Sequence, residues 1–313
     1  MRIRIEHETT YTYEEPAKGL IQVLRLTPRA HMGQHVLRWR IEPSLDGALR
    51  QGEDALGNIV HRFAAETAGD ELTIRVVGEV ETDETHGVVR GAVERAPELY
   101  FLRTTPMTAP SDALIAFAEE HAGAAASSDP LAALHALGTA LHERLAMERG
   151  PADTAVGGAE AFARGRGLPQ DIAHAFVAAA RHLGIPARNV SGYLYATDED
   201  ADDSGGDAGG EPEGQGGGEG ARGHVHAWAE AKAAGLGWVA FDPSRGVCAG
   251  PAYLRVAIGL DAPGCAPVRG ARYGGGAEAL SVRLSVTDAR GGAPDREPAS
   301  GSGSGQSHSQ SQS

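Results

Sequence analysis

The stretch of residues 225–242, VHAWAEAKAAGLGWVAFD, constrains the fold more than any other part of the sequence. Two alternating runs flank a short loop with two glycines, which is typical of an antiparallel hairpin. We predict that Ala231 pairs with Gly237. In that register His226 faces Asp242, and their β-carbons should lie about 4.5–5.5 Å apart on one face. A carboxylate at that distance can orient an imidazole, whereas a slip of one residue would separate the two.

The rest of the chain divides into a strand-rich part and a helical part. Up to about residue 90, apolar positions such as Leu37, Trp39 and Ile41 alternate with polar ones, which predicts an antiparallel sheet. From Thr105 onward the apolar spacing becomes helical. Together these patterns predict an α+β fold, in which an antiparallel β domain precedes helices packed on a second antiparallel sheet.

Three helices are predicted after Thr105. Ser111 can cap the first, and Asp129 followed by Pro130 can start the second, which carries a leucine stripe. The third should begin near Pro169 and end at Leu183, because Gly184 and the proline after it stop a helix. A strand should then run from Ala187 to Tyr195.

Composition excludes several classes of function. The net charge of −14 argues against a nucleic-acid partner, which would require a basic face. No apolar stretch approaches the roughly 20 residues that span a bilayer, and the N-terminus lacks an apolar signal region, so we expect a cytoplasmic protein that does not contact a membrane. Two cysteines without a CxxC spacing make neither a disulfide framework nor a zinc cage, and no cofactor is expected.

Two segments are predicted to be disordered. Between Asp198 and Arg222 there are nine acidic residues, one basic residue and almost no large apolar side chain. Such a stretch cannot offset the entropy of its own ordering, so 198–223 is interpreted as an acidic insertion between two strands, with recruitment of a partner as an alternative. Residues 288–313 form a Gly/Ser/Gln tail of the same kind.

The His226–Asp242 pair suggests nucleophilic catalysis. A carboxylate that holds a histidine in one tautomer is half of a triad. The nucleophile should lie at a helix N-terminus, where the dipole stabilises a thiolate. The helix that begins near Pro169, after the turn 165–167 (Gly-Arg-Gly), is the place to expect it.

Three blocks in the expected order resemble the bacterial transglutaminase-like superfamily, whose core is related to papain-like cysteine proteases. They are RGLPQDIAH at 166–174, HAWAE at 226–230 and GWVAFDP at 237–243. The tracts TYTYEEP, LRLTPR, ALGNIVHRF and ETHG also look like the β domain that precedes this core in bacterial members. The resemblance implies a β domain over 1–104 and a transglutaminase-like core over 105–287.

The resemblance fails at the reaction centre. The nucleophilic cysteine of the family falls on Pro169, while His226 and Asp242 match its base and orienting acid. Proline has no group that could form an acyl-enzyme and no amide proton for an oxyanion, yet a helix tolerates it in the first turn. Loss of a triad nucleophile costs on the order of 10⁶ in turnover. The resemblance therefore implies a pseudoenzyme that binds a peptide or protein, with Gln170, Asp171 and Trp228 lining its cleft.

Other interpretations of these residues stay open. A displaced thiol could make the chain an active amidase, peptidase or acyl-transferase; Cys248 is the favoured candidate and Cys265 the less favoured one. Asp171 is more simply a favourable charge in the first turn of a helix. His224, His226 and Asp242 could form a facial metal site, although the family motif already explains His226. No metal is therefore expected.

Overall fold

A computed structural model describes residues 1–67, 69–148, 150, 155–195 and 223–289. The predicted acidic insertion lies outside the described residues apart from Gly223, and the predicted tail lies outside them apart from Asp288 and Ala289. Two antiparallel sheets and four α-helices make up the described part, so the predicted α+β class is confirmed. No described helix combines the length and the apolar character that crossing a bilayer requires.

The first sheet is built around one long strand, to which the strands of both ends of the chain pair. Buried side chains alternate with half-buried ones along its first half, so one face of the sheet is buried. The strands are β1 (Arg2–Thr27), β2 (Gln34–Pro43), β3 (Ala48–Glu53), β4 (Ile59–Ala65), β5 (Gly69–Thr82), β14 (Val268–Gly274) and β15 (Glu278–Asp288). β5 and β15 flank the first half of β1, and β4 and β14 flank its second half.

The second sheet carries the predicted hairpin. Its strand order is β12-β11-β10-β9-β13, and the short β6 adds to β11. The strands are β6 (Val88–Val89), β9 (Ala187–Leu194), β10 (His224–Ala233), β11 (Gly237–Asp242), β12 (Val247–Cys248) and β13 (Tyr253–Gly259). A separate parallel pair, β7 (Ala146–Met147) with β8 (Arg166–Gly167), holds the chain immediately before the last helix.

The helices are α1 (Asp112–Ala118), α2 (Pro130–Arg144), α3 (Gly158–Arg164) and α4 (Pro169–His182). Side-chain oxygens of Ser111 and Asp129 accept backbone N–H groups at the starts of α1 and α2, as their sequence positions predict. α4 spans nearly the predicted residues, and Gly184 adopts a positive φ of 77° just beyond it. β9 likewise matches the predicted strand.

α4 packs on one face of the second sheet. Its residues from Asp171 to Arg181 are buried. Ile172, Phe176 and Val177 share a core with the small and apolar side chains of the hairpin, Ala229, Ala231, Ala233, Val239 and Phe241. Because side chains alternate along a strand, His226, Trp228 and Glu230 lie on the opposite face.

Two side-chain amides fasten the first sheet to the outer edge of β13. The Gln34 amide accepts a hydrogen bond from Arg255 N–H and donates one to Arg255 O, at 2.8 Å each. Asn58 does the same with Ile258, at 2.8 and 2.9 Å. Each amide thus replaces a neighbouring strand and satisfies an edge that would otherwise be open.

The boundary at residue 104 stays a prediction. β6, which precedes it, pairs with the second sheet, and β14 and β15, which follow the core motifs, pair with β1. Hydrogen bonding therefore places strands from the beginning and from the last part of the described chain in the first sheet.

Candidate active site

The hairpin forms, but its register differs from the prediction by two residues. Ala233, not Ala231, pairs with Gly237, so the loop is only three residues long. Positive φ values at Gly235 (77°) and Gly237 (95°) allow this tighter turn. A shift of two keeps every side chain on its face, so His226 and Asp242 remain on a common side as diagonal neighbours.

His226 and Asp242 form a short hydrogen bond. His226 Nε2 lies 2.6 Å from Asp242 Oδ2, and both side chains are fully shielded from solvent. Ser244 donates its hydroxyl and its backbone N–H to Asp242 Oδ1, at 2.6 and 3.1 Å. Tyr253 donates its hydroxyl to Asp242 Oδ2 at 2.8 Å. Burial opposes ionisation of this carboxyl, but the charge of His226 and these hydrogen bonds outweigh it and lower the Asp242 pKa.

The other ring nitrogen of His226 is buried without a hydrogen-bond partner among the described residues. With Nε2 directed at an ionised carboxylate, the proton lies on Nε2 in the neutral ring, and Nδ1 carries a lone pair. The ring stacks on Trp228 with centroids 6.2 Å apart and lies 5.9 Å from the ring of Tyr253. Nδ1 is therefore shielded from solvent but makes no hydrogen bond within the described part of the chain.

The predicted cleft residues differ in their roles. Trp228 is 1% exposed and packs in a core cluster, so it forms a wall behind the imidazole. Asp171 is 2% exposed and uses both carboxylate oxygens, accepting Leu168 N–H and Val156 N–H at 2.9 Å each. Burial raises the pKa of this carboxyl. Asp171 thus closes the first turn of α4, which fits its structural interpretation, while Gln170 beside it is half-buried.

Pro169 is the first residue of α4, where its missing N–H costs no helical hydrogen bond. Leu168 precedes it as the N-cap with an extended backbone (φ −67°, ψ 159°). The parallel pair of β7 and β8 ends at Gly167, two residues before Pro169, so backbone pairing holds the chain in place immediately before α4.

Neither thiol is placed beside the His226–Asp242 pair. Cys248 pairs with Phe241 and so lies on the α4 face of the sheet, opposite to Asp242. Burial raises its pKa. Cys265 is fully buried, and its sulfur contacts Asn189 Nδ2 and the carbonyl oxygens of Asp261 and Ala262. Burial raises the pKa of this thiol to about 11, which leaves it protonated at neutral pH.

A closed ionic network occupies the same face of β10, four residues beyond His226. The Glu230 carboxylate is fully buried and accepts hydrogen bonds from Arg188 (2.7 Å) and from Arg255 (2.6 and 3.2 Å). Arg188 also forms a bidentate pair with Glu94 at 2.7 and 2.9 Å. Burial opposes the charge of Glu230, but the two guanidinium groups lower its pKa to about 2.

His174, within the first family-like block, has a structural role. Its Nδ1 lies 3.1 Å from the carbonyl oxygen of Val156, and its Nε2 accepts Ala262 N–H at 2.9 Å. Because an amide N–H can only donate, Nε2 is the acceptor and Nδ1 carries the proton. Burial lowers the pKa of this histidine, so it is neutral.

A metal site does not form within the described ranges, where no group of three or more His, Cys, Asp or Glu side chains is arranged to hold an ion. His224 is exposed and packs edge-on against His226, with centroids 5.3 Å apart. The facial site of His224, His226 and Asp242 is therefore not assembled, because His226 directs Nε2 at the carboxylate.

Sequence reasoning missed Ser244 and Tyr253, the two other residues that donate hydrogen bonds to Asp242. Ser244 had a local signal, since an aspartate commonly accepts a hydrogen bond from the residue two positions later. Tyr253 had none, because β13 pairs with β9 and not with β11, and no pattern along the chain indicates that Tyr253 reaches Asp242.

Comparison with known proteins agrees with this architecture. Residues 3–81 match the bacterial transglutaminase-like N-terminal region, and residues 117–243 match the transglutaminase-like superfamily. The uncharacterized protein ML0607 of Mycobacterium leprae is 28% identical over 296 residues, which cover 91% of this chain and 98% of that protein. A crystal structure of a candidate cysteine protease from Cytophaga hutchinsonii superposes with a TM-score of 0.66 at 18% identity, over 95% of this chain and 93% of that one. At that identity the likeness concerns the fold alone.

Proposed function

We propose that this transglutaminase-like protein is a pseudoenzyme that binds a peptide or protein and does not cleave or transfer amides. The observation that carries the proposal is Pro169 at the first position of α4, the position at which the sequence resemblance implies the nucleophilic cysteine of the family. The base and its orienting acid are retained as a buried hydrogen-bonded pair. A site with a base but no nucleophile can position a ligand but cannot form an acyl-enzyme.

The surroundings of His226 support this placement. The body of α4 packs on the Ala229 face, opposite to His226, so the proposal requires the first turn of α4 to lie beside the start of β10, where the imidazole is. An apolar pyrrolidine ring there would cover Nδ1 without bonding to it, which is the state of that nitrogen among the described residues. A cysteine in the same position would place a thiol against the lone pair.

The alternative enzyme would use Cys248. Its thiol lies on the opposite face from Asp242, and burial raises its pKa, so both its position and its protonation disfavour attack. Catalysis by a displaced nucleophile would require the thiol to cross the plane of the sheet. Cytoplasmic residence remains part of the proposal, as does the absence of nucleic-acid and membrane partners.

Thiol labelling combined with an activity assay separates the two functions. Iodoacetamide at pH 7 should modify Cys248 no faster than a free thiol, and neither the native chain nor Cys248→Ala should release ammonia or amine from glutamine-containing peptides. Chemical shift changes at His226 on titration with a mixed hexapeptide library would report the binding role. One fast-reacting thiol whose loss in Cys248→Ala abolishes amide turnover would instead establish the enzyme.

A further inference from the structure

Three arginines stand in one row across the solvent face of the first sheet. Arg50 on β3 pairs with Arg62 on β4, Arg62 pairs with Val23 on β1, and Val23 pairs with Arg269 on β14. Cross-strand partners share a face, and all three arginines are exposed. At about 4.8 Å per strand the row is about 14 Å long. We name Arg50, Arg62 and Arg269 the arginine row.

The row is electrostatically unfavourable to the fold. Like charges placed directly opposite each other destabilise a sheet, and Arg50 faces Arg62. Within the described residues, no carboxylate forms an ion pair with any of the three guanidinium groups; the only hydrogen bond among them joins Arg269 to the carbonyl oxygen of Pro263 at 3.3 Å. The chain as a whole carries a net charge of −14, which is opposite in sign to the charge of the row.

The opposite half of the same sheet shows the contrast. There Glu79 binds Arg2 and Arg38, and Arg283 on β15 binds Glu8. Arg2, Arg38 and Arg283 are therefore paired with carboxylates of the protein itself. The three guanidinium groups of the arginine row have no such partner among the described residues.

Apolar surface lies next to the row. Ile21 is 60% exposed and lies between Ala64 and Ala271, one side-chain repeat along the strands from the arginines. Tyr273 on the same face is 73% exposed. Small alanine side chains leave Ile21 and Tyr273 accessible over a flat sheet, which an extended chain can cover.

We propose that the arginine row binds an acidic, extended polypeptide segment that also carries a large apolar side chain. Side chains on one face of an extended segment repeat about every 6.7 Å, so two or three carboxylates can reach the row while an apolar side chain contacts Ile21. Guanidinium groups bind carboxylates in a bidentate manner, and such pairs are stronger than neutral hydrogen bonds. This surface is separate from the His226–Asp242 pair, and the proposal does not depend on catalysis or its loss.

Fluorescence anisotropy with two labelled peptides tests the proposal. One probe has the sequence of residues 198–222 of this chain, which carries nine acidic residues. The other, Glu-Ser-Glu-Ser-Leu-Ser-Glu, places its glutamates and its leucine on the same side of an extended chain. The intact chain should bind at least the second probe, and the affinity should fall several-fold between 50 and 200 mM salt. Versions with amides in place of all carboxylates should not bind.

The matched variants are two triple substitutions with the same change of net charge. Arg50→Gln, Arg62→Gln and Arg269→Gln together should weaken binding at least tenfold, and Ile21→Ser should weaken the leucine-containing probe several-fold. Arg40→Gln, Arg95→Gln and Arg283→Gln together remove exposed, ion-paired arginines and should change the affinity less than twofold. Equal losses in both triple variants, or no binding of either probe at 1 mM, would overturn the proposal.

Two further measurements bear on the partner class and on the fold. Row-dependent binding of phosphatidylserine vesicles or duplex DNA more tightly than of either peptide would refute the choice of an acidic polypeptide.

Arg62→Gln alone should raise the midpoint of urea unfolding, because it removes the facing like charges. A lower midpoint would show that the row serves the fold, which contradicts the proposal.

Discussion

Two polar clusters share one face of β10 and differ in how completely they are satisfied. The charges of Glu230, Glu94, Arg188 and Arg255 neutralise each other, and each oxygen of the Glu230 carboxylate accepts a hydrogen bond from an arginine. Around His226, Asp242 accepts every available donor, yet Nδ1 of the imidazole has no partner among the described residues. The cluster around Glu230, the closed cluster, satisfies all its charges and stabilises the fold. The cluster around His226, the open cluster, leaves Nδ1 of the imidazole without a hydrogen bond among the described residues, so this nitrogen does not contribute one to the fold.

Removal of the charge from the closed cluster should have the largest effect. Glu230→Gln leaves Arg188 fully buried with only Glu94 as a counter-ion and leaves Arg255 without its carboxylate. Breaking a buried ion pair from one side costs about 3–5 kcal/mol, which we expect as a loss of unfolding free energy in urea titrations. Glu119→Gln, at an exposed glutamate, is the control and should change stability by less than about 0.5 kcal/mol. Equal, small effects would mean that the two clusters do not differ.

Acid should act mainly through the same cluster. The folded pKa of Glu230 is depressed to about 2, so its contribution is present above the ordinary value of 4.5 and is lost as the pH falls toward 2. That depression corresponds to about 3 kcal/mol, and the lowered pKa of Asp242 adds a contribution of the same sign. Unfolding free energy measured between pH 5 and pH 2.5 should fall steeply in the native chain. A profile that is equally steep in Glu230→Gln would contradict this assignment.

In the open cluster, Asp242→Asn should have an intermediate effect. The amide keeps the shape of the side chain but loses the charge and one of the two acceptor oxygens that serve His226, Ser244 and Tyr253. One unsatisfied buried donor costs about 1–3 kcal/mol. The measurement is urea unfolding together with the His226 ring resonances, which should change because the imidazole loses its fixed partner. Unchanged resonances would mean that Asp242 does not orient the ring.

Tyr253→Phe should produce the smallest effect. It deletes one hydroxyl donor to Asp242 Oδ2 and keeps the ring that packs on Trp228, 5.3 Å away between centroids. A single hydrogen bond to a charged group is worth about 1.5–3 kcal/mol at most, and the three remaining donors to Asp242 should keep the loss near the lower limit. Tyr100→Phe is the control. A loss larger than that of Asp242→Asn would show that Tyr253 does more than support the carboxylate.

Local features of the fold could be predicted from the sequence, and contacts between distant segments could not. The ends of α4 follow from Pro169 and Gly184, and the facing of His226 and Asp242 follows from strict alternation. The register was wrong by two because the loop could close over either three or five residues. The network around Glu230 contains side chains from three other segments, and no local pattern connects Arg188 with Arg255 or Glu94.

The sequence predicted that His226 and Asp242 lie close enough to interact, and the two side chains are hydrogen-bonded. Asp171 shows how a residue near a motif can support two interpretations, since both its oxygens bind backbone N–H groups at the start of α4. Its place in a family-like block suggested a cleft residue, while its position in the first turn of α4 suggested a residue that stabilises the start of the helix. The contacts agree with the second.

The pH dependence of one introduced thiol tests the central claim most directly. In Pro169→Cys on a Cys248→Ala background, the rate of iodoacetamide modification should follow a thiol pKa at least one unit below the usual value of about 8.5, because the imidazole and the helix N-terminus stabilise the thiolate. Addition of His226→Asn should raise that pKa again. A normal thiol titration in both variants, with both folded, would contradict the claim that the first turn of α4 faces His226.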